Sequence, residues 1–96
     1  MLFKVEMTVN LPADMPDATA QAIKGREKAY AQELQQQGKW RHLWRVSGTY
    51  SNVSIFDVTD SQELHELISG LPLFPYMDIE VTALNRHPSS IHEDDR

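Results

Sequence analysis

After Ala20, the residues Ile23, Glu27, Tyr30, Ala31 and Leu34 recur at spacings of three and four, the step that stacks side chains on one helix face. Glu27 puts a carboxylate in the middle of that apolar stripe. A carboxylate deprived of water becomes a better base, which is what an enzyme that moves protons without a cofactor requires. Two plainer arrangements fit the same spacing: a helix turned slightly so that Glu27 sits at its boundary, or a glutamate neutralised by a lysine or arginine in a buried pair.

The segment Trp40-Arg41-His42-Leu43-Trp44-Arg45 gathers both tryptophans of the chain with two arginines and a histidine. Aromatic walls exclude water and a guanidinium grips a carboxylate through two parallel hydrogen bonds, so this mixture suits a small pocket for an anionic organic molecule. Core tryptophans with surface or interface arginines are the alternative. Regular alternation sets Trp40, His42 and Trp44 on one strand face and Arg41, Leu43 and Arg45 on the other. His42 then serves as a hydrogen-bonded core residue or as a polariser of substrate oxygen. Tyr50 falls in the turn that follows, as an oxyanion donor or as a packing residue with a wet hydroxyl. Near the end, Arg86-His87-Pro88-Ser89-Ser90-Ile91-His92 combines a stiffening proline with an apolar anchor, which fits docking on a neighbouring subunit as well as fraying.

Several chemistries are disfavoured. There are no cysteines, hence no disulfide, thiolate metal site or cysteine nucleophile. His87 and His92 have no carboxylate at ligand spacing, His65-Glu66 does not extend to a two-turn zinc pattern, and the four glycines form no phosphate cradle. No metal, nucleotide or other cofactor is expected. Fourteen acidic residues outweigh nine basic ones for a net charge of −5, without a basic cluster to follow a phosphate backbone, so nucleic acid is not an expected partner. Lys4 and Glu6 interrupt the apolar start, unlike a signal peptide or a membrane span, and the expectation is a cytoplasmic protein with no membrane association.

The elements that must position these residues follow from pattern. Phe3, Val5, Met7 and Val9 alternate with polar residues as a first strand. Asp14 is the candidate N-cap of a helix over roughly Met15 to Gln37, stopped by Gly38. Trp40 to Val46 and Asn52 to Val58 form a hairpin around Ser47-Gly48-Thr49. A shorter helix follows Thr59-Asp60-Ser61, and Pro72 and Pro75 force a turn before a last strand through Met77, Ile79, Val81 and Ala83. This βαββαβ order predicts an α+β ferredoxin-like sandwich, a four-stranded antiparallel sheet with two helices on one face. Residues 1–96 read as one domain, with 85–96 a tail packing on a neighbouring subunit. Apolar side chains on both strand faces, such as Leu43 and Trp44, predict that a second subunit covers the open sheet face, as in assemblies of the dimeric α+β barrel type.

The start Met-Leu-Phe-Lys-Val-Glu-Met-Thr-Val, the block Trp40 to Arg45, the stretch Leu71-Pro72-Leu73-Phe74-Pro75-Tyr76-Met77-Asp78-Ile79-Glu80-Val81 and the tail Arg86 to His92 closely resemble the muconolactone Δ-isomerases over nearly the whole chain. The resemblance implies cofactor-free conversion of (+)-muconolactone to 3-oxoadipate enol-lactone, in catechol degradation through the β-ketoadipate pathway. It also implies a homodecamer built from dimers, and it puts Glu27 at the position of the acidic residue in the family's proton shuttle. In such a reaction a proton leaves the ring carbon beside the ring oxygen and returns beside the carbonyl, through a dienolate whose oxygen needs a donor. His42 or Tyr50 is the expected donor. Arg41, Arg45 or Arg86, with Trp44 as an aromatic wall, would hold the carboxylate of this small anionic lactone. Regular alternation keeps Arg41 and Arg45 off the His42 face, so either a bulge or a neighbouring subunit must intervene. A cofactor-independent monooxygenase of the dimeric α+β barrel group and a non-catalytic assembly module are the alternatives.

Overall fold

The computed structural model describes all 96 residues, Met1 to Arg96. Strand β1 (Leu2–Val9) buries Phe3, Val5 and Met7 on one face, as its alternation predicts. Helix α1 spans Asp17–Gln36, two residues later than expected. Asp14 does not cap it: the N-cap position is Pro16, with φ −60° and ψ 142°, and no side chain bonds to the first turn. Proline favours extended backbone in the residue before it, so Met15 cannot begin the helix.

Gly38 ends α1 as expected, with φ +79°, while its N–H donates to Gln35 O and that of Lys39 to Leu34 O. These paired bonds satisfy the last carbonyls through a left-handed residue, a conformation glycine adopts without steric cost. Strands β2 (Trp40–Arg45) and β3 (Ser51–Asp57) form the hairpin. Helix α2 (Ser61–Ser69) is capped by Asp60, whose Oδ1 accepts from Glu63 N–H at 2.9 Å. A 3₁₀ turn over Phe74–Tyr76 answers the two prolines and leads into β4 (Met77–Leu84).

The sheet order is β2-β3-β1-β4, fully antiparallel, which is the ferredoxin-like α+β arrangement. Ala31 and Leu34 of α1 and Leu64 and Ile68 of α2 share one core with Phe3, Val5, Met7, Trp40 and Phe56. Trp40 stacks on Phe56 with ring centroids 4.8 Å apart and is the only buried residue of β2.

The β2–β3 register is irregular. Trp40 pairs with Phe56 and His42 with the adjacent Ile55, so Arg41 is the extra residue of a β-bulge. A bulge resets alternation. Beyond it, Leu43 and Arg45 pair with Ser54 and Asn52, which lie on the same side of β3 as buried Phe56. The expected sharing of one face by Trp40, His42 and Trp44 is therefore corrected: Trp40 faces the helices with Leu43 and Arg45, whereas His42 and Trp44 point the other way. Only Trp40 is core, and Trp44 is 54% exposed.

Candidate active site

A cavity of about 380 Å³ opens between α1 and the β2–β3 end of the sheet. Lys24, Glu27 and Lys28 line it from the helix, Trp40, Leu43 and Arg45 from β2, Tyr50 and Asn52 from the hairpin and β3, and Leu73 from the proline-rich loop. Each arrives for a local reason. Helical spacing puts Lys24, Glu27 and Lys28 on one face of α1, the bulge turns Arg45 inward, and Gly48 at φ +78° folds the hairpin tightly enough to return Tyr50 to the cavity.

Glu27 forms none of the ion pairs in the chain, so a buried pair with lysine or arginine is not how this carboxylate is accommodated. Its Oε1 accepts the backbone N–H of Leu73 at 3.0 Å. The Leu71-to-Pro75 loop, turned by its prolines and anchored by buried Leu71 and Leu73, thus orients the side chain across 46 residues of sequence. Burial raises the Glu27 carboxyl above the ordinary carboxylate range, and the Leu73 hydrogen bond opposes that rise only in part. A carboxylate of raised pKa, with one oxygen held and the other unengaged by the chain, suits a group that takes and returns a proton.

The mouth of the cavity is cationic. Lys24 Nζ lies 5.4 Å and Arg45 Cζ 5.2 Å from the centroid of the Tyr50 ring, and neither cation forms an ion pair within the chain. Arg45 Nη1 donates to the Thr49 carbonyl at 3.4 Å, which leaves its charge, like that of Lys24, without an anionic partner, and the tyrosine ring helps hold both cations in place. Trp40 seals the inner end, its indole N–H without a hydrogen-bond partner.

The remaining residues singled out from sequence are elsewhere. Arg41, His42 and Arg86 line a second cavity of about 330 Å³, along with Leu2, Ile55 and Asp95. His42 stacks on Trp44 with ring centroids 5.0 Å apart, on the sheet face turned away from Glu27. Arg41 is engaged by Asp57, Asp94 and Asp95 at 3.7, 2.8 and 3.0 Å, and Arg86 donates to the carbonyls of Ser90 and His92 at 2.7 and 2.9 Å. The tail therefore has its own internal order, although Ile91 stands 86% exposed.

Lys24, Lys28 and Asn52 are among the cavity residues that the reading of the sequence passed over. Lys24 lies one helical turn before Glu27, a spacing that would have flagged it. Asn52 shares its strand face with Ser54 and Phe56, and two polar residues on the inward side of a strand are an available signal.

No helix is long and apolar enough to cross a membrane, and no three His, Asp or Glu side chains cluster as a metal site. The model of the family described as muconolactone delta-isomerase matches residues 1–90. Among similar proteins, the muconolactone Δ-isomerase of Acinetobacter baylyi is 64% identical over 95 residues, 99% of each chain. That of Cupriavidus pinatubonensis is 66% identical over 91 residues, 95% of this chain and 99% of its own. A crystal structure of muconolactone isomerase superposes with a TM-score of 0.94 at 60% identity, covering all of both chains.

Proposed function

Since the chain belongs to the muconolactone Δ-isomerase family, we propose that it shifts the double bond of (+)-muconolactone to give 3-oxoadipate enol-lactone by cofactor-free proton transfer within the Glu27 cavity. On this reading the enzyme acts in catechol degradation through the β-ketoadipate pathway, in the cytoplasm. The single observation that carries the site assignment is the unpaired, partly desolvated Glu27 carboxylate, held at one oxygen by Leu73 N–H beside a cationic mouth.

Each step finds a group in the cavity. Arg45, with Lys24 across the Tyr50 ring, receives the substrate carboxylate and fixes the ring against the base. Glu27 removes the proton from the ring carbon that bears the carboxymethyl group. The electron pair moves through the ring double bond onto the carbonyl oxygen, where Tyr50 is the donor at the mouth. Glu27 then returns the proton to the carbon beside the carbonyl, the electron pair flows back, and the double bond has moved with no net change in atoms or charge.

His42, Arg41, Trp44 and Arg86 belong on this reading to the surface where copies of the chain meet in a homodecamer built from dimers. They reach substrate only if a neighbouring copy brings its cavity against that face, and the 85–96 tail would contribute there too.

Purified protein should consume muconolactone in anaerobic, metal-free buffer, an outcome that the monooxygenase alternative forbids. Glu27→Gln is expected to lower kcat by at least ~10²-fold with substrate binding and assembly retained. A variant that isomerises at near wild-type kcat would remove Glu27 from the mechanism.

A further inference from the structure

We infer that Asn52 is a catalytic residue whose amide N–H donates to the lactone carbonyl oxygen as it takes up charge, with the buried Ser54 hydroxyl as the positioning group that aims it. The inference rests on the Glu27 reading above and adds the donor on the cavity floor. Ser54 is the only polar residue among the buried set, fully enclosed beside Val5 and Leu43 on the neighbouring strands. A hydroxyl in such a place is costly unless it is hydrogen-bonded. Its Oγ donates to Asn52 Oδ1 at 2.8 Å.

In that bond the amide oxygen is turned to Ser54, which leaves the nitrogen end for the cavity. A carboxamide accepts at its oxygen and donates at its nitrogen, so once Oδ1 is taken by Ser54 the two Nδ2 hydrogens are left without a partner in the chain. Asn52 lines the same cavity as Glu27. A donor fixed from beneath in this way needs no reorganisation when charge develops above it.

The register supports the assignment. Asn52 pairs directly with Arg45 on β2, and opposed Cα atoms of antiparallel strands lie about 4.5–5.5 Å apart. In muconolactone the carboxymethyl group and the carbonyl oxygen leave the ring from the two carbons that flank the ring oxygen, so both polar handles lie along one edge. Arg45 and Asn52 offer a guanidinium and an amide side by side for that edge, while Glu27 comes from α1 on the opposite wall. The other wall donors are less suited to act alone. Tyr50 is 43% exposed at the mouth, where water competes, and the Trp40 indole N–H is enclosed.

Steady-state kinetics on (+)-muconolactone with Asn52→Asp, Ser54→Ala and Glu27→Gln test this. Asn52→Asp keeps shape and the Ser54 contact but replaces the donor by an acceptor, and kcat should fall by about 10²–10³-fold with KM within about threefold. Ser54→Ala should lower kcat by about tenfold at unchanged KM, and adding it to Asn52→Leu should cost nothing further, because its action passes through Asn52. Wild-type-like kcat in Asn52→Asp, a loss confined to KM, or full additivity of the Ser54 and Asn52 changes would overturn the inference. Circular dichroism identifies a misfolded Asn52 variant, in which case Ser54→Ala alone decides by its kcat. If Glu27→Gln retains activity the base assignment fails, whereas an inactive Glu27→Gln beside a fully active Asn52→Asp removes only the floor donor.

Discussion

The two faces of the sheet carry similar residues in different states. Each has an arginine, an aromatic side chain and a cavity of a few hundred Å³. On the open face Arg41 is matched by three carboxylates and Arg86 by two carbonyls, so their hydrogen-bonding capacity is largely spent within the chain. On the helix face Arg45 and Lys24 have no carboxylate partner, and Glu27 has no cation. A site that is to bind an anion and move a proton must hold charges in reserve, and only the helix-covered face does so. Cluster composition does not reveal this, because it counts charges without their partners.

Breaking the contrast at its tryptophans should give the largest effect on stability. Trp40→Ala removes a stacked core ring and is expected to cost about 3–5 kcal/mol in urea unfolding. Trp44→Ala, on an exposed ring, should instead act on association, seen as a lower sedimentation coefficient with the subunit still folded. A large loss of subunit stability from Trp44→Ala would make the two faces equivalent after all.

The arginines offer the next comparison. Arg45→Gln should reduce kcat/KM by about 10–100-fold, the value of a charge-assisted contact to the substrate carboxylate, mostly through KM. Arg41→Gln should change kcat/KM by less than about threefold, since its partners, Asp57 on β3 and Asp94 and Asp95 on the tail, are carboxylates exposed to water. The reverse ranking would move the substrate to the open face.

A smaller effect links the helix-covered face to pH. The raised native pKa of Glu27 makes its contribution to stability fully present below about 4.5, its ordinary value, and lost as pH rises through the native value. Ionisation over the same window creates the proposed base. Wild-type kcat/KM should therefore rise with pH where Glu27 costs stability, and Glu27→Gln should melt a few degrees higher than wild type at pH 8, with the gap closing as pH falls. A gap independent of pH would disconnect the carboxylate's charge from its cost.

Much of the fold was legible because its signals are local. Alternation in β1 and β4, Gly38 at a helix end and the prolines after Leu71 act through neighbouring residues, and each element formed where the pattern placed it, with α1 starting late only because Pro16 constrains Met15. Glu27 was legible for the same reason, as an interruption in a helical period. The facing of the β2 side chains was not, because a bulge at Arg41 has no obligatory letter and one extra residue exchanges the faces of all that follow.

The sequence by itself determined the βαββαβ order, the family and the one carboxylate set into an apolar stripe, since spacing and residue type carry that information along the chain. Only the tertiary structure decided which arginine and which tryptophan share a wall with it. It also joined Leu73 to Glu27 and left Asn52 facing the cavity. Those outcomes depend on strand register and on hydrogen-bond partners distant in sequence, which are chosen when the sheet and helices pack and not before.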